Sequence, residues 1–256
     1  MNIRFHWKSD IGRKRAKNQD FAGTFPDHTL YVVADGMGGH RGGEVASQMA
    51  VSIAGSTFER THTNDPTHPR ELLESAAREA NSQIMKRSQS EKELEGMGTT
   101  LTMLHVHENT ILVGHVGDSR CYLIRNEGIW QITRDHSLVQ EKLRAGMITR
   151  DQLKTDRMKN VITRSVGFDP NFSIDLYEYS PQPGDLFLMC SDGLSGQVDD
   201  PQIFKTVMDH YLSAVKSMPD RYKELMEKTL QSLIDQANDH GGDDNCTAML
   251  IHYGSA

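Results

Sequence analysis

Cysteine is scarce in this chain. The three residues, Cys121, Cys190 and Cys246, each sit alone in an apolar run. That excludes a disulfide scaffold and fits small buried thiols in a reducing compartment. Cysteine-based phosphoester chemistry needs an arginine six positions after the nucleophile, and Glu127, Gly196 and His252 stand there instead. Long hydrophobic runs are also missing. None approaches the ~20 residues that span a bilayer, and Met1 to Trp7 contains no apolar core of a secretion signal. Basic charge is in deficit: 28 Lys and Arg against 35 Asp and Glu give a net charge of −7. This argues against a general nucleic-acid binder and against adhesion to anionic membranes. There is no repeat, low-complexity tract or Gly/Pro/Ser-rich linker. The 256 residues are therefore expected to form a single domain, cytoplasmic and monomeric, with ample length for a core.

What the chain does have is aspartate at the ends of apolar runs. Leu30 to Asp35-Gly36, Ile111 to Gly117-Asp118 and Leu186 to Asp192-Gly193 each end this way, and Asp244 precedes the run Cys246 to Ile251. Runs of this length, rich in large and β-branched residues and bounded by glycine, read as buried strands. A single Asp-Gly is an ordinary turn pair. Three at strand mouths, with the tandem Asp243-Asp244-Asn245, form a different pattern. Brought together, such carboxylates are costly unless a cation neutralises them. Oxygen-only ligands suit Mg²⁺ or Mn²⁺. Two such ions ~4 Å apart can bridge one water and lower its pKa, as phosphate ester hydrolysis requires, and a nearby arginine would grip the phosphate with a bidentate fork.

Competing chemistries fail on detail. The loop Gly36 to Gly43 has no P-loop lysine, and Arg41 stands where a dinucleotide fingerprint needs its third glycine. No Gly-x-Ser-x-Gly marks a serine hydrolase. His105 and His107 alternate on a strand, but no Cys or His pair in the sequence completes a tetrahedral zinc set.

Periodicity places a helix from Glu44 to Val51 and a second over 70–90, with Leu72, Leu73, Ala76, Ala80 and Ile84 on one face. Thr61 to Pro69 reads as a loop. Residues 1–35 read as short strand-like pieces between turns. Strands dominate from Thr99 to Thr133, with turns at Glu108-Asn109 and Asn126-Glu127-Gly128. Short helices are expected over Ser137 to Ala145 and Arg150 to Leu153. A polar, basic, irregular stretch covers Thr155 to Asn171. Strands return over Ile174 to Tyr179 and Leu186 to Ser191. A helical region over 200–238, interrupted at Ser217-Met218-Pro219, precedes a final strand. Strands come in blocks and helices in pairs, which favours an α+β layered fold over a doubly wound parallel sheet.

Eight motifs, in order and at similar spacing, then resemble one family over about Asp10 to His252. They begin with Asp10-Ile11-Gly12 plus Arg15-x-x-Asn18-Gln19-Asp20, then Asp35-Gly36-Met37-Gly38-Gly39-His40-x-x-Gly43-Glu44-x-Ala46-Ser47. Gly96-Met97-Gly98-Thr99-Thr100, Gly114 to Arg120 and Thr133-Arg134-Asp135-His136-Ser137-Leu138-Val139 follow. Ile162-Thr163-Arg164-Ser165-Val166-Gly167, Cys190-Ser191-Asp192-Gly193-Leu194 and Asp244-Asn245-x-Thr247 complete the set. The chain resembles the protein phosphatase 2C family of metal-dependent Ser/Thr protein phosphatases, in its compact bacterial form.

The resemblance implies a four-layer α-β-β-α sandwich of two antiparallel sheets flanked by helix pairs. It also implies two central Mn²⁺ or Mg²⁺ ions and a third, weaker one. Asp35 would bridge the central pair, with the Gly36 carbonyl on one ion and Asp192 and Asp244 on the other. Asp20 would act nearby through water, Asp118 would share the third ion with Asp192, and Arg15, in preference to Arg13, would hold the phosphate. The implied reaction is direct in-line attack by a bridging hydroxide on phosphoserine or phosphothreonine in protein substrates, opposing a Ser/Thr kinase. Some members carry a histidine as proton donor two residues after the bridging aspartate, where this chain has Met37. Residues 146–171 resemble the family's flap. Arg120, after Asp118, is expected as a structural ion-pair partner, Asp135 and His136 as turn and packing residues, Asp243 as a solvated neighbour, and Glu44 as a local partner at its helix start.

Overall fold

A computed structural model describes residues 2–25, 30–38, 41–64, 68–125, 128–153 and 155–254. Gly39 and His40 of the glycine-rich loop, the turn residues Asn126 and Glu127, and Lys154 lie outside the described residues. Among the described residues there are two antiparallel sheets. One contains β1 (Asn2–Asp10), β7 (Arg120–Arg125), β8 (Gly128–Gln131), β10 (Asp185–Cys190) and β11 (Cys246–Gly254), in the order β1-β11-β10-β7-β8. The other contains β2 (Asp20–Phe25), β3 (Leu30–Met37), β5 (Leu101–His107), β6 (Thr110–Val116) and β9 (Asp175–Tyr179), in the order β2-β3-β5-β6-β9, with β4 (Gly98–Thr99) paired to the end of β3.

Side-chain alternation along the strands sorts the apolar residues into three layers. Tyr31, Val33, Leu104 and Val106 of one sheet meet Leu123, Phe187, Met189 and Met249 of the other. The outer face of the β3 sheet (Val32, Leu101, Met103) is covered by α1 (Gly42–Asn64) and α2 (Pro69–Ser90) through Ala46, Ala50, Phe58, Leu73 and Ile84. The outer face of the β10 sheet is covered by α5 (Asp192–Ser195), α6 (Asp200–Val207), α7 (Ser213–Val215) and α8 (Tyr222–Asp239), with Met226, Leu230 and Ile234 facing in. The four-layer α+β sandwich is therefore the observed fold. No helix among the described residues is long and apolar enough to cross a membrane.

Three elements differ from expectation. The first strand is nine residues long rather than a set of short pieces, because Asn2 to Asp10 pairs in unbroken register with β11. The first helix continues to Asn64, through residues expected in a loop. There the Thr61 hydroxyl donates to the Thr57 carbonyl at 2.8 Å and the His62 ring stacks on Phe58. The Asp192-Gly193 pair opens α5 rather than a plain turn. The short helices α3 (Leu138–Arg144) and α4 (Arg150–Leu153) stand where expected, and the interruption near Ser217 falls between α7 and a 3₁₀ turn at Pro219–Arg221.

Helix α1 starts hard against the end of β3. A Cβ on Gly36 would lie 2.0 Å from the Gly43 carbonyl oxygen and 2.7 Å from that of Gln19. Both obstacles are backbone, so only glycine fits. Gly184, by contrast, has a φ of +97° but open space around it. Gly36→Ala should therefore destabilise the metal-free protein by at least about 2–3 kcal/mol through overpacking, and Gly184→Ala by about 1–2 kcal/mol through its φ alone. Urea denaturation of the two variants measures the contrast.

Candidate metal centre

The acidic residues converge where the two sheets meet at one end of the sandwich. Asp20 opens β2 directly opposite Asp35 in the β2–β3 register. Asp35 is held by its backbone: its N–H donates to the Thr100 hydroxyl at 2.9 Å, and its carbonyl accepts from Thr100 N–H at 2.9 Å and the Thr99 hydroxyl at 2.8 Å. Asp118 follows Gly117, whose φ of +111° turns the chain as it passes from β6 in one sheet to β7 in the other. Asp192 follows β10, and Asp244 precedes β11.

Two small residues tie these segments together. The Ser191 hydroxyl donates to Asp20 Oδ2 at 2.7 Å and accepts from Thr247 N–H at 3.0 Å. Buried Asn245 donates through Nδ2 to the Ile11 and Lys17 carbonyls, each at 2.9 Å, and accepts from Gln19 N–H at 2.8 Å. Sequence reasoning placed both in motifs without giving either a job. The available signal was position, each being the residue adjoining a site aspartate.

The electrostatics are those of a site built around positive charge. Burial, reinforced by the other carboxylates, pushes Asp20 up to about 7 and holds Asp35 and Asp118 well above the usual carboxylate range. Asp192 is raised by burial and by Asp244. Asp20 Oδ1, Asp118 Oδ1 and Asp192 Oδ1 are buried without a hydrogen-bond partner. A buried carboxylate oxygen lacking a donor is destabilised, and hard divalent cations, which take oxygen ligands, supply what these three lack. The residues fit Mg²⁺ or Mn²⁺.

The remaining expected residues fall around this group. Arg15 is 48% exposed, and its Nη2 lies 2.5 Å from Asp244 Oδ2. Arg13 instead bonds the Gly242 carbonyl through its backbone N–H. Asp243 pairs with Lys14. Arg120 is the structural ion-pair residue expected, its partner being buried Asp135, with Nε donating at 3.0 Å and Nη2 at 2.7 Å. Asp135 is thus a salt-bridge residue rather than a turn residue. His136 accepts from Gly117 N–H through Nδ1 at 3.1 Å, and Arg164 lies 2.9 Å from its Nε2, so the expected flap is wired to the turn that carries Asp118. Burial pushes the Cys190 thiol up to about 12, which makes it a poor nucleophile. A cleft of about 530 Å³ opens beside the aspartates, lined by Asp118, Asp192 and Asp244 and by Arg150, Lys159 and Asn160 of the flap.

A family model described as protein phosphatase 2C matches residues 12–233. The chain belongs to the protein phosphatase 2C family. It is accordingly an enzyme, a phosphoprotein phosphatase of the Ser/Thr type. The serine/threonine phosphatase Stp of Listeria monocytogenes is 34% identical over 249 residues, covering 96% of this chain and 94% of its own. The crystal structure of the Mycobacterium tuberculosis phosphatase PstP superposes with a TM-score of 0.84 at 33% identity, covering 99% of both chains. A PstP catalytic domain in complex with two manganese ions has a TM-score of 0.81 at 32% identity, again over 99% of both.

Two outcomes follow from the geometry and burial of this cluster. Asn245→Ala removes three hydrogen bonds and should cost roughly 2–4 kcal/mol at 0.5–1.5 kcal/mol each, measured by urea denaturation. The second concerns pH. In the metal-free protein Asp20 stays protonated up to about 7, whereas its unfolded counterpart ionises near pH 3.9. The folded chain then holds protons that the unfolded chain has released. This contribution to stability is complete below about pH 4 and is lost as pH rises through 7. The metal-free denaturation midpoint should fall between about pH 5 and about pH 8, and saturating Mg²⁺ should flatten the fall.

Proposed function

We propose that this phosphatase hydrolyses phosphoserine and phosphothreonine in proteins by direct attack of water on phosphorus, with no covalent enzyme intermediate. The observation that carries the reading is the convergence of buried aspartates with three unpartnered oxygens beside an exposed arginine. In it, Asp35, Asp192, Asp244 and the Gly36 carbonyl would hold two central Mg²⁺ or Mn²⁺ ions, Asp20 would support them through water, and Asp118 with Asp192 would hold a third. When bound, these ions acidify a water for in-line attack and offset charge on the phosphate oxygens.

The chain's own residues position the reaction. Thr99 and Thr100 fix the Asp35 backbone, and Ser191 aims Asp20. Arg15, already at the edge of the carboxylates, offers its guanidinium fork to the substrate phosphate. Met37 carries no proton to give, so protonation of the leaving oxygen falls to water. Arg150 and Lys159 on the flap face the cleft and suit the acidic surroundings of a phosphorylated site on a protein surface. Buried free thiols at Cys121, Cys190 and Cys246 fit a cytoplasmic enzyme, and such an enzyme would oppose a Ser/Thr protein kinase.

The deciding experiment compares a phosphothreonine peptide with a small aryl phosphate, with and without Mn²⁺. Turnover should favour the peptide and require the metal. EDTA or Asp192→Ala should each lower kcat/KM by at least about 10²-fold, since metal charge stabilisation is worth several kcal/mol. Arg15→Ala should lower kcat/KM by about 10–100-fold, mainly through KM, as expected for losing charge-assisted hydrogen bonds of 1.5–3 kcal/mol. Full activity in EDTA, or in Asp192→Ala, would refute the metal-dependent mechanism. Equal efficiency on the aryl phosphate would refute the preference for protein substrates.

A further inference from the structure

At the other end of the β3 sheet, the row of side chains facing the helices changes character. Leu101 and Met103 of β5 pack into the apolar layer under α1 and α2. The next two residues in that row are His105 and His107. Helix α1 ends over them with His62 in its last turn. The ring centroids of His62 and His105 are 6.0 Å apart, and those of His105 and His107 are 5.7 Å apart. One ring nitrogen from each of the three lies within 4.8 Å of the others. Phe58, one turn before His62, stacks on His62 at 5.5 Å and meets His105 edge-on at 4.7 Å. His105 is 1% exposed, and the other two are half-buried. The sequence shows only the His105/His107 pair. The third imidazole comes from a helix more than forty residues earlier and is visible only in the fold.

We propose that His62, His105 and His107 form a second metal site, selective for Zn²⁺ or a similar nitrogen-preferring transition ion. Three imidazoles plus one outside ligand make a common tetrahedral zinc shell, with Zn–N distances of about 2.0–2.1 Å and hence nitrogens about 3.4 Å apart. The present spread of up to 4.8 Å closes with small side-chain rotations of the two half-buried rings. Nitrogen donors favour Zn²⁺, Co²⁺ and Ni²⁺ over Mg²⁺ and Mn²⁺, so this site and the carboxylate centre would sort different ions by donor atom. The position also favours positive charge, because the C-terminal end of α1 carries the negative end of its dipole. Phe58 supplies the apolar wall that limits water access. Leu30 pairs with His105 in the sheet register, and Asp35 lies five residues further along β3. At about 3.4 Å per residue the two sites stand roughly 17 Å apart. The ion would act as a clip, fastening the end of α1 to β5, while the start of the same helix abuts Gly36.

The test is a Zn²⁺ titration of the full chain in saturating Mg²⁺, which occupies the carboxylate centre. It uses competition with a chromophoric chelator, and is repeated with Co²⁺ to read ligand-field absorption. Wild type should bind one equivalent that the His62→Ala/His107→Ala double variant does not, and Co²⁺ should show tetrahedral bands in wild type alone. Loss of mere outer partners of a zinc ligand costs 10–100-fold in affinity, so loss of two ligands should cost at least about 100-fold. Zn²⁺ should raise the thermal midpoint of wild type and not that of the variant. Both substituted positions are half-buried, and circular dichroism checks that the variant is folded. Equal Zn²⁺ stoichiometry and affinity in wild type and folded variant would overturn the proposal, as would the absence of a Zn²⁺ equivalent in wild type. Zn²⁺ held only at the carboxylate centre would survive in the variant and counts against the site.

Discussion

Repulsion among aspartates in a poorly solvated place governs this molecule. Asp20, Asp118, Asp192 and Asp244 each raise the cost of ionising Asp35, Asp192 does the same to Asp20 and Asp118, and burial raises it further. Left alone, such a group protonates or springs apart. The fold opposes the second outcome by fastening Asp35 through its backbone to Thr99 and Thr100 and Asp20 through its side chain to Ser191. A divalent cation removes the need for the first. The same electrostatics that make the centre unfavourable as bare protein are what support the proposed reading of it as a cation site, and through the cation a phosphate site.

That arrangement depends on where the chain changes sheets. Asp20 and Asp35 belong to one sheet, Asp192 and Asp244 border strands of the other, and Asp118 sits in the connection between them. The inter-sheet apolar layer sets the spacing of the two halves, so packing far from the aspartates positions them. Asn245 and Ser191 complete the join, because each bonds across from the β10–β11 end to the segment between β1 and β2 or to Asp20 itself. The His136 contacts extend the connection outward, from Gly117 to Arg164 at the base of the flap.

Much of this was legible in the residues. The strand runs ending in aspartate and the apolar face of α2 follow from local patterning, which depends only on neighbours in sequence. The ordered motifs carried the family and the identities of the acidic residues. Misreadings arose where tertiary contact overrides local preference. Thr61 to Asn64 look like loop, yet packing of His62 on Phe58 extends the helix. Asp135 looks like a turn residue, yet it is the buried ion-pair partner of Arg120, fifteen residues away, brought to it because β8 pairs back on β7.

By itself, then, the sequence determined which atoms are available for chemistry: carboxylates at strand mouths, an arginine near the start, and no reactive thiol or P-loop. It also determined the order of strands and helices, because periodicity is a local property. Only the tertiary structure decided which carboxylates share one desolvated volume, which of their oxygens lack partners, and that Arg15 lies against Asp244. It alone brought His62 to His105 and His107. Those outcomes rest on distances between residues far apart in the chain, which the packing of two sheets and their helices sets.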